Sequence, residues 1–230
     1  MELRGWWFFL TTSRGSYMAL NIDIAGMIVQ SRIRPMRFPL IERGPLQQVK
    51  GIVVHQTNAA TAGATFASYR KANAKGAHFL IDKDGTLYQT ASVTQTKYHI
   101  GSIRPRCLDE MTCSPKTYAG VARGAPTHRI EVRKSWPARY PVNTEAIGIE
   151  LVGRASLPPN FVPPRRNPPR TAEQLLAEFG VYETPTTLQN ISLRWLVDEL
   201  IGSMKISRTE VFRHPVVSWK NETEARGAAW

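Results

Sequence analysis

The chain has 230 residues, of which 42% are hydrophobic, and this is enough for one sizeable core or two small ones. Thirty Lys and Arg against 18 Asp and Glu give a net charge of +12, which favours polyanionic partners such as an acidic cell wall. The basic residues do not form dense runs with interleaved aromatics, so we expect no nucleic-acid partner, and no apolar run approaches the roughly 20 residues of a membrane span.

Residues 1–49 are expected to form a lead-in to a single domain over residues 50–230. The apolar core "WWFFL" is too short for a secretory signal peptide, and no convincing small-residue cleavage site follows it. Met18 is an alternative start, which would leave the first 17 residues untranslated. We therefore expect no classical export signal.

The next part of the chain predicts a strand, a helix and a hairpin. The apolar, β-branched stretch "GIVVHQT" predicts a buried strand that ends at His55. A threonine start signal opens "TAGATFASYRKANAKG", which predicts a helix that stops at Gly76. Two short strands then flank Asp84-Gly85, a dipeptide typical of a tight hairpin turn.

The second half of the chain alternates loops with regular elements. Residues 102–145 lack periodicity and predict a long insertion, and "EAIGIELVG" predicts another buried strand. Residues 154–170 hold six prolines and predict an extended surface loop. The stretch "TAEQLLAEF" and residues 184–204 then predict two helices. The predicted core stripe of the second helix comprises Leu188, Ile191, Trp195, Leu196, Leu200 and Ile201.

Strands that alternate with helices, together with one antiparallel hairpin, indicate an α/β fold. The sheet that fits this order is a central mixed β-sheet flanked by helices.

Near the end of the chain, "FRHPVVSWKNETEARG" gathers His214, Lys220, Glu222 and Glu224. A solvated tail is one interpretation, and a metal site is the other. Zinc hydrolases commonly use two histidines and a carboxylate, and His55 at the end of a strand could supply the second histidine. The ammonium of Lys220 beside a metal ion is reasonable if it faces an oxyanion formed during attack on a carbonyl.

Glu150 is unusual for its position in a buried strand. Ile147, Ile149 and Leu151 alternate onto one face, which leaves Glu150 on the other. A buried carboxylate is costly unless it is paired. A strand-end salt bridge or a role as a general base that activates water would each explain it.

The cysteines of the chain, Cys107 and Cys113, lie close together in "CLDEMTC". A disulfide would indicate work in an oxidising compartment, and two free thiols are the alternative. A thiolate zinc site is disfavoured by the spacing.

Five motifs together resemble the zinc-dependent N-acetylmuramoyl-L-alanine amidases of type 2, a family that shares its fold with peptidoglycan recognition proteins. They are "VVHQT", "AHFLIDKDGTLYQ", "YHIGS", "AIGIELVG" and "RHPVVSWKNETEA", and the resemblance covers residues 50–226. It implies an open groove that holds Zn²⁺. It also implies hydrolysis of the amide between the lactyl group of N-acetylmuramic acid and L-alanine of the stem peptide.

The resemblance also implies roles for individual residues. His55 and His214 match the two histidine ligands of zinc, and Glu224 matches the third ligand, with Glu222 as the alternative. Glu150 matches the catalytic base of the bacterial branch, and Lys220 the group that stabilises the oxyanion. The residues assigned to substrate binding are His99, His78 and Asn58.

Two questions remain open from the sequence. The first is whether the chain cleaves peptidoglycan or is a non-catalytic recognition module that binds it. The second is how a wall hydrolase without a classical signal reaches the periplasm or cell wall of a target bacterium. A phage lysin, a recycling enzyme and an injected antibacterial effector with an immunity protein are the alternatives, and we favour the effector. We expect a monomer.

Overall fold

The computed structural model describes residues 20–166 and 168–230, so the alternative start at Met18 and the "WWFFL" segment lie outside it. In chain order its strands and helices are β1 (Ile33–Pro35), β2 (Gly51–Gln56), α1 (Ala62–Tyr69), β3 (Phe79–Ile81), β4 (Leu87–Gln89), α2 (Arg106–Asp109), α3 (Ala125–Glu131), β5 (Ala146–Leu151), β6 (Ala155–Ser156), α4 (Ala172–Phe179), β7 (Val181–Tyr182), α5 (Thr187–Met204), β8 (Val211–Arg213) and α6 (His214–Val217).

Six strands form one sheet in the order β1-β4-β3-β5-β2-β8, and β6 and β7 form a separate antiparallel pair. Within the large sheet β3 and β4 are antiparallel, whereas the other neighbouring pairs are parallel. The predicted mixed sheet flanked by helices is therefore confirmed. Its edge strand β1 lies before residue 50, so the sheet begins within the segment predicted as a lead-in.

The predicted hairpin is also confirmed, because β3 and β4 pair around the Asp84-Gly85 turn. Gly85 has a φ of 83°, which a residue without a Cβ adopts without strain. The Asp84 carboxylate accepts a hydrogen bond from the Thr86 backbone N–H at 2.8 Å, which further holds the turn.

Helix α1 starts as predicted but is shorter. The Thr61 side chain accepts a hydrogen bond from the Ala64 backbone N–H and caps the helix. The helix ends at Tyr69, and the expectation that it runs to Gly76 is wrong. The chain turns at Asn73, whose φ is 56°, and a helix cannot continue through that conformation.

Helix α5 packs on the sheet with a face that partly matches the predicted stripe, since Leu196 and Leu200 are buried and Trp195 and Ile201 pack against the core. Leu188 and Ile191 are each 53% exposed. The buried positions of α5 are Gln189, Leu193, Leu196, Val197 and Leu200. Gln189 lies inside because its amide donates hydrogen bonds to the carbonyls of Ile81 and Val152, so a polar residue occupies a core position that an apolar pattern cannot reveal.

The sheet has one closed face and one face that carries the site. The closed face packs against α5 through Ile52, Val54, Ile147 and Ile149. The other face is covered by two smaller apolar clusters, one around Tyr69 and Leu80 and one around Val53 and Ile100.

The insertion and the Pro-rich segment contain more structure than predicted. Helices α2 and α3 lie within residues 102–145, and β6 lies within residues 154–170. A disulfide joins Cys107 to Cys113, with their Cα atoms 5.3 Å apart. Among the described residues, no helix is both long and apolar enough to cross a membrane.

Candidate active site

Three adjacent parallel strands bring the predicted site residues together at their carboxyl ends. His55 of β2 is the register partner of Glu150 of β5. On the other side of β2, Val54 pairs with Arg213 of β8, and His214 follows directly as the first residue of α6. Because the strands run parallel, these side chains lie in one row at the same edge of the sheet.

His55, His214 and Glu224 form a buried group that can hold a metal ion, with one ligand atom from each residue within 4.8 Å of the others. The Glu224 Oε1 atom lies 2.9 Å from His214 Nδ1 and 3.4 Å from His55 Nδ1. Two imidazoles and one carboxylate converging on one point is a donor set that suits zinc.

The remaining ring nitrogens of both histidines are held by neighbours. His214 Nε2 lies 2.9 Å from the Ile100 carbonyl oxygen, which accepts a hydrogen bond from it, and Nδ1 faces Glu224. His55 Nε2 lies 2.9 Å from His99 Nδ1. Such contacts fix the tautomer and orientation of a histidine ligand.

The electrostatics of the group also favour metal binding. Burial, followed by the charge of His214, lowers the pKa of His55 to about 4. Burial raises the pKa of Glu224, but the charges and hydrogen bonds of the two histidines outweigh it and hold that pKa well below its usual range. Neutral imidazole and ionised carboxylate are the forms that bind a metal ion.

Glu150 is held by a tyrosine that the sequence analysis did not identify. The Tyr69 hydroxyl donates a 2.6 Å hydrogen bond to Glu150 Oε2, whereas Oε1 has no hydrogen-bond partner within the described residues. Burial raises the pKa of Glu150 to about 7, with the charge of Glu224 acting in the same direction and Tyr69 opposing it. A carboxyl group with a pKa near 7 is suited to accept and release a proton at neutral pH.

Lys220 and His99 line a pocket of about 340 Å³ together with Lys75, Tyr98, Gly101 and Asn143. Lys220 is exposed, and its positive charge acts on His55 by lowering the pKa of that histidine. Burial, then the charge of His55, holds the pKa of His99 well below its usual value. His99 faces His55 with Nδ1, and its Nε2 is buried with no hydrogen-bond partner within the described ranges.

Gly148 lets the His99 ring approach the sheet closely. A Cβ atom at this position would lie 2.9 Å from His99 Nδ1 and 3.1 Å from the Ala77 side chain. The glycine of the "AIGIELVG" strand is thus required for the contact between His99 and His55.

Three of the predicted residues make contacts outside the group of His55, His214 and Glu224. His78 is fully buried, accepts a hydrogen bond from the Gly148 N–H at Nδ1 and contacts the Gln95 carbonyl through Nε2, so it supports the fold instead of contacting substrate as predicted. The side-chain oxygen of Asn58 accepts a hydrogen bond from the Ala155 N–H and so holds a loop, and contact of this exposed residue with substrate stays a prediction. The alternative ligand Glu222 is 72% exposed and faces Arg104 at 3.7 Å, outside the histidine group.

Two tyrosines near the site were missed. Tyr69 contacts Glu150 directly, and the half-buried Tyr182 lies close enough for the charges of Glu224 and Glu150 to act with burial in raising its pKa. The spacing of Phe66 and Tyr69 on one face of α1 was the sole signal, and it indicates burial without identifying a partner.

The chain is similar to several solved structures. A mutant endolysin from Bacillus subtilis is 17% identical, with 79% of this chain and 82% of that chain covered and a TM-score of 0.43. A selenomethionine AmpD derivative is 15% identical, with 86% and 88% covered and a TM-score of 0.47. Peptidoglycan recognition protein-LE in complex with tracheal cytotoxin is 14% identical, with 80% and 83% covered and a TM-score of 0.39.

No curated protein matches the chain. The family comparison is more informative, because residues 45–227 match the model of Amidase_2, described as N-acetylmuramoyl-L-alanine amidase. Since this match spans most of the chain and includes His55, Glu150, His214 and Glu224, the protein belongs to the N-acetylmuramoyl-L-alanine amidase family.

Proposed function

We propose that this protein is a zinc-dependent hydrolase that cleaves the amide between the lactyl group of N-acetylmuramic acid and L-alanine of the stem peptide. The observation that carries the proposal is the buried convergence of His55 Nδ1, His214 Nδ1 and Glu224 Oε1. The family supports the amidase chemistry, and the donor set supports the metal.

The proposed ligands fit zinc by number, by type and by their surroundings. His55, His214 and Glu224 would supply three protein ligands, the number typical of catalytic zinc sites, and would leave the ion accessible to water or substrate. When bound, zinc would supply Lewis-acid chemistry, because it polarises a carbonyl group and makes water more acidic.

Glu150 is the proposed proton carrier. Its Oε1 atom accepts a proton from the attacking water and then donates it to the amine of the leaving L-alanine. Tyr69 positions the carboxyl group through Oε2, so the free oxygen keeps one orientation throughout the reaction.

Lys220 is the proposed donor to the oxyanion. Its ammonium is exposed next to the His99 pocket, and it makes no ion pair within the described parts of the chain that would have to be broken. Loss of one such donor typically costs about 100- to 1,000-fold in rate. His99 is the proposed substrate contact beside it, because this residue lines the same pocket.

A recognition module that binds peptidoglycan without cleaving it is the competing function. The complete donor set and the presence of a glutamate with a pKa near 7 favour the enzyme. Zinc content together with turnover separates the two functions.

The test is zinc analysis of the purified protein and mass spectrometry of digested peptidoglycan. We expect one zinc per chain, new L-alanine amino termini and intact lactyl groups. Glu150→Gln should keep zinc and lose turnover, while the surface variant Glu173→Gln, at an exposed position outside both pockets, should keep both. Reducing sugars released without new amino termini would show a glycosidase and contradict the proposal.

We also propose that the protein acts in the periplasm or cell wall, as an antibacterial effector delivered by a non-classical route. The Cys107–Cys113 disulfide supports work in an oxidising compartment. Expression directed to the periplasm of a test bacterium should lyse the cells, whereas the same protein kept in the cytosol should not. Equal toxicity in both compartments would contradict this proposal.

A further inference from the structure

A cavity of about 690 Å³ lies beside the candidate active site. Its walls come from the 102–145 insertion, the Pro-rich segment with α4, and the turn that follows α6. The lining residues are Arg123, Arg166, Pro168, Pro169, Arg170, Gln174, Ala177, Glu178, Trp219, Lys220, Asn221 and Glu222. The volume is in the range of ligand sites, roughly 300–1,000 Å³.

The cavity carries unbalanced positive charge. Both of its acidic residues face an arginine, since Glu178 pairs with Arg170 at 2.8 Å and Glu222 lies 3.7 Å from Arg104. Three other lining cations, Arg123, Arg166 and Lys220, form no hydrogen bond or ion pair through their side chains with any residue in 20–166 or 168–230. Cations that share one cavity without counter-charges raise the local concentration of an anionic ligand.

The wall of the cavity is held in place by specific contacts. Arg170 bridges the Pro-rich segment to Glu178 on α4 and lies over the Phe179 ring, 5.4 Å from its centroid. The Asn221 amide donates a 2.6 Å hydrogen bond to the Gly180 carbonyl, which ties the 219–222 turn to the end of α4. These contacts hold α4, Arg170 and the 219–222 turn together on one side of the cavity.

The cavity adjoins the His99 pocket of the candidate active site, because Lys220 lines both. An amide cleaved beside Lys220 has a sugar with its lactyl group on one side and a peptide on the other. The sugar is uncharged, whereas the peptide carries a terminal carboxylate and any acidic side chains. Charge therefore assigns the peptide to the cationic cavity.

We propose that this cavity binds the acidic stem peptide of the substrate and that Arg123 and Arg166 select peptides with free carboxylates over amidated ones. The proposal rests on the proposed amidase function and extends it to a substrate class. It also gives a role to the two segments that lengthen the chain, since each contributes one of the two arginines.

The experiment compares two muropeptides with the same sugar and peptide, one with free carboxyl groups and one with amidated carboxyl groups. The test variant is Arg123→Ala/Arg166→Ala. The matched control is Arg129→Ala/Arg165→Ala, which removes the same charge from the same two segments at exposed positions outside the cavity. We expect KM of the test variant to rise about tenfold on the free-carboxyl substrate and by less than about twofold on the amidated one. The control should match the wild type on both.

An equal rise of KM on both substrates, or an equal rise in the control, would overturn the proposal. Calorimetric binding of the two sugar-free peptides to the full-length zinc-loaded protein makes the test independent of turnover. If the wild type cleaves neither muropeptide, the proposed function fails. Even then, tighter binding of the free-carboxyl peptide than of the amidated one by the wild type, with loss of this preference in the test variant, would support the proposed role of the cavity. Equal binding of the free-carboxyl peptide by the wild type and the test variant would overturn that role.

Discussion

Replacing Tyr69 with phenylalanine removes one hydrogen bond from the candidate base and leaves the ring in place. Tyr69 is 2% exposed, and its ring packs edge-on against Phe38 in an apolar cluster. Its hydroxyl lies 2.6 Å from Glu150 Oε2. A hydrogen bond to a charged group contributes about 1.5–3 kcal/mol, and one pKa unit corresponds to about 1.4 kcal/mol. We therefore expect the pKa of Glu150 to rise by about one to two.

The direction of the effect on activity follows from the form of Glu150 that the hydrogen bond stabilises. The hydroxyl stabilises the ionised carboxylate, so its loss favours the protonated form, which cannot act as a base. The acid limb of the kcat/KM profile should move to higher pH by about one to two pH units. Well below that limb the rate should fall about 10- to 100-fold, and at higher pH it should recover toward the wild type.

The assay is the pH profile of kcat/KM for wild type and Tyr69→Phe, with zinc content measured on the same samples. Tyr88→Phe is the matched control, because Tyr88 packs against Phe66 and its hydroxyl makes no hydrogen bond to any described residue. A fall in rate of equal size at every pH, or a limb that does not move, would refute the reasoning.

Glu224→Ala should abolish zinc binding in metal analysis whereas Glu222→Ala should retain it, and the reverse result would exchange the two assignments. Burial raises the pKa of Glu145, but hydrogen bonds from Arg139 and Lys50 outweigh it and lower that pKa to about 2 in the folded protein. Glu145→Gln should therefore lower stability by about 3 kcal/mol at pH 7. That contribution is complete above the unfolded pKa near 4.5 and is lost as pH falls toward 2, so denaturation curves of the variant and the wild type should converge in acid. Cys107→Ser should lower stability by about 2 kcal/mol and Tm by a few degrees without changing zinc content, because the disulfide closes a short loop. A loss of zinc would contradict this expectation.

The parts of the fold that local patterns determine were predictable. The β3–β4 hairpin depends on the turn at Asp84-Gly85, and the start of α1 depends on one threonine side chain. The grouping of His55, Glu150 and His214 was expected from the family resemblance, since the sequence analysis predicted no strand before His214 and no parallel pairing of these strands.

The remaining features depend on contacts between segments far apart in the chain. Tyr69 at the end of α1 reaches Glu150 of β5 across 81 positions of sequence, and no pattern in either segment identifies the other. Gln189 is buried because the carbonyls of Ile81 and Val152 accept hydrogen bonds from its amide. Arg123 and Arg166 belong to loops whose shared cavity exists only after both loops have docked.

The pairing of β2 with β8 has a consequence for the order in which the molecule assembles. Ile52 pairs with Val211, so about 160 positions of chain must be closed before these strands meet. Such distant pairings form slowly, since the entropy of loop closure must be overcome first. The proposed ligands His55 and His214 lie directly beyond this pairing, so a metal ion held between them would bind only after β2 and β8 have paired. Its binding energy would then stabilise the pairing of β8, an edge strand of the sheet, and withdrawal of the ion would favour the opening of that strand.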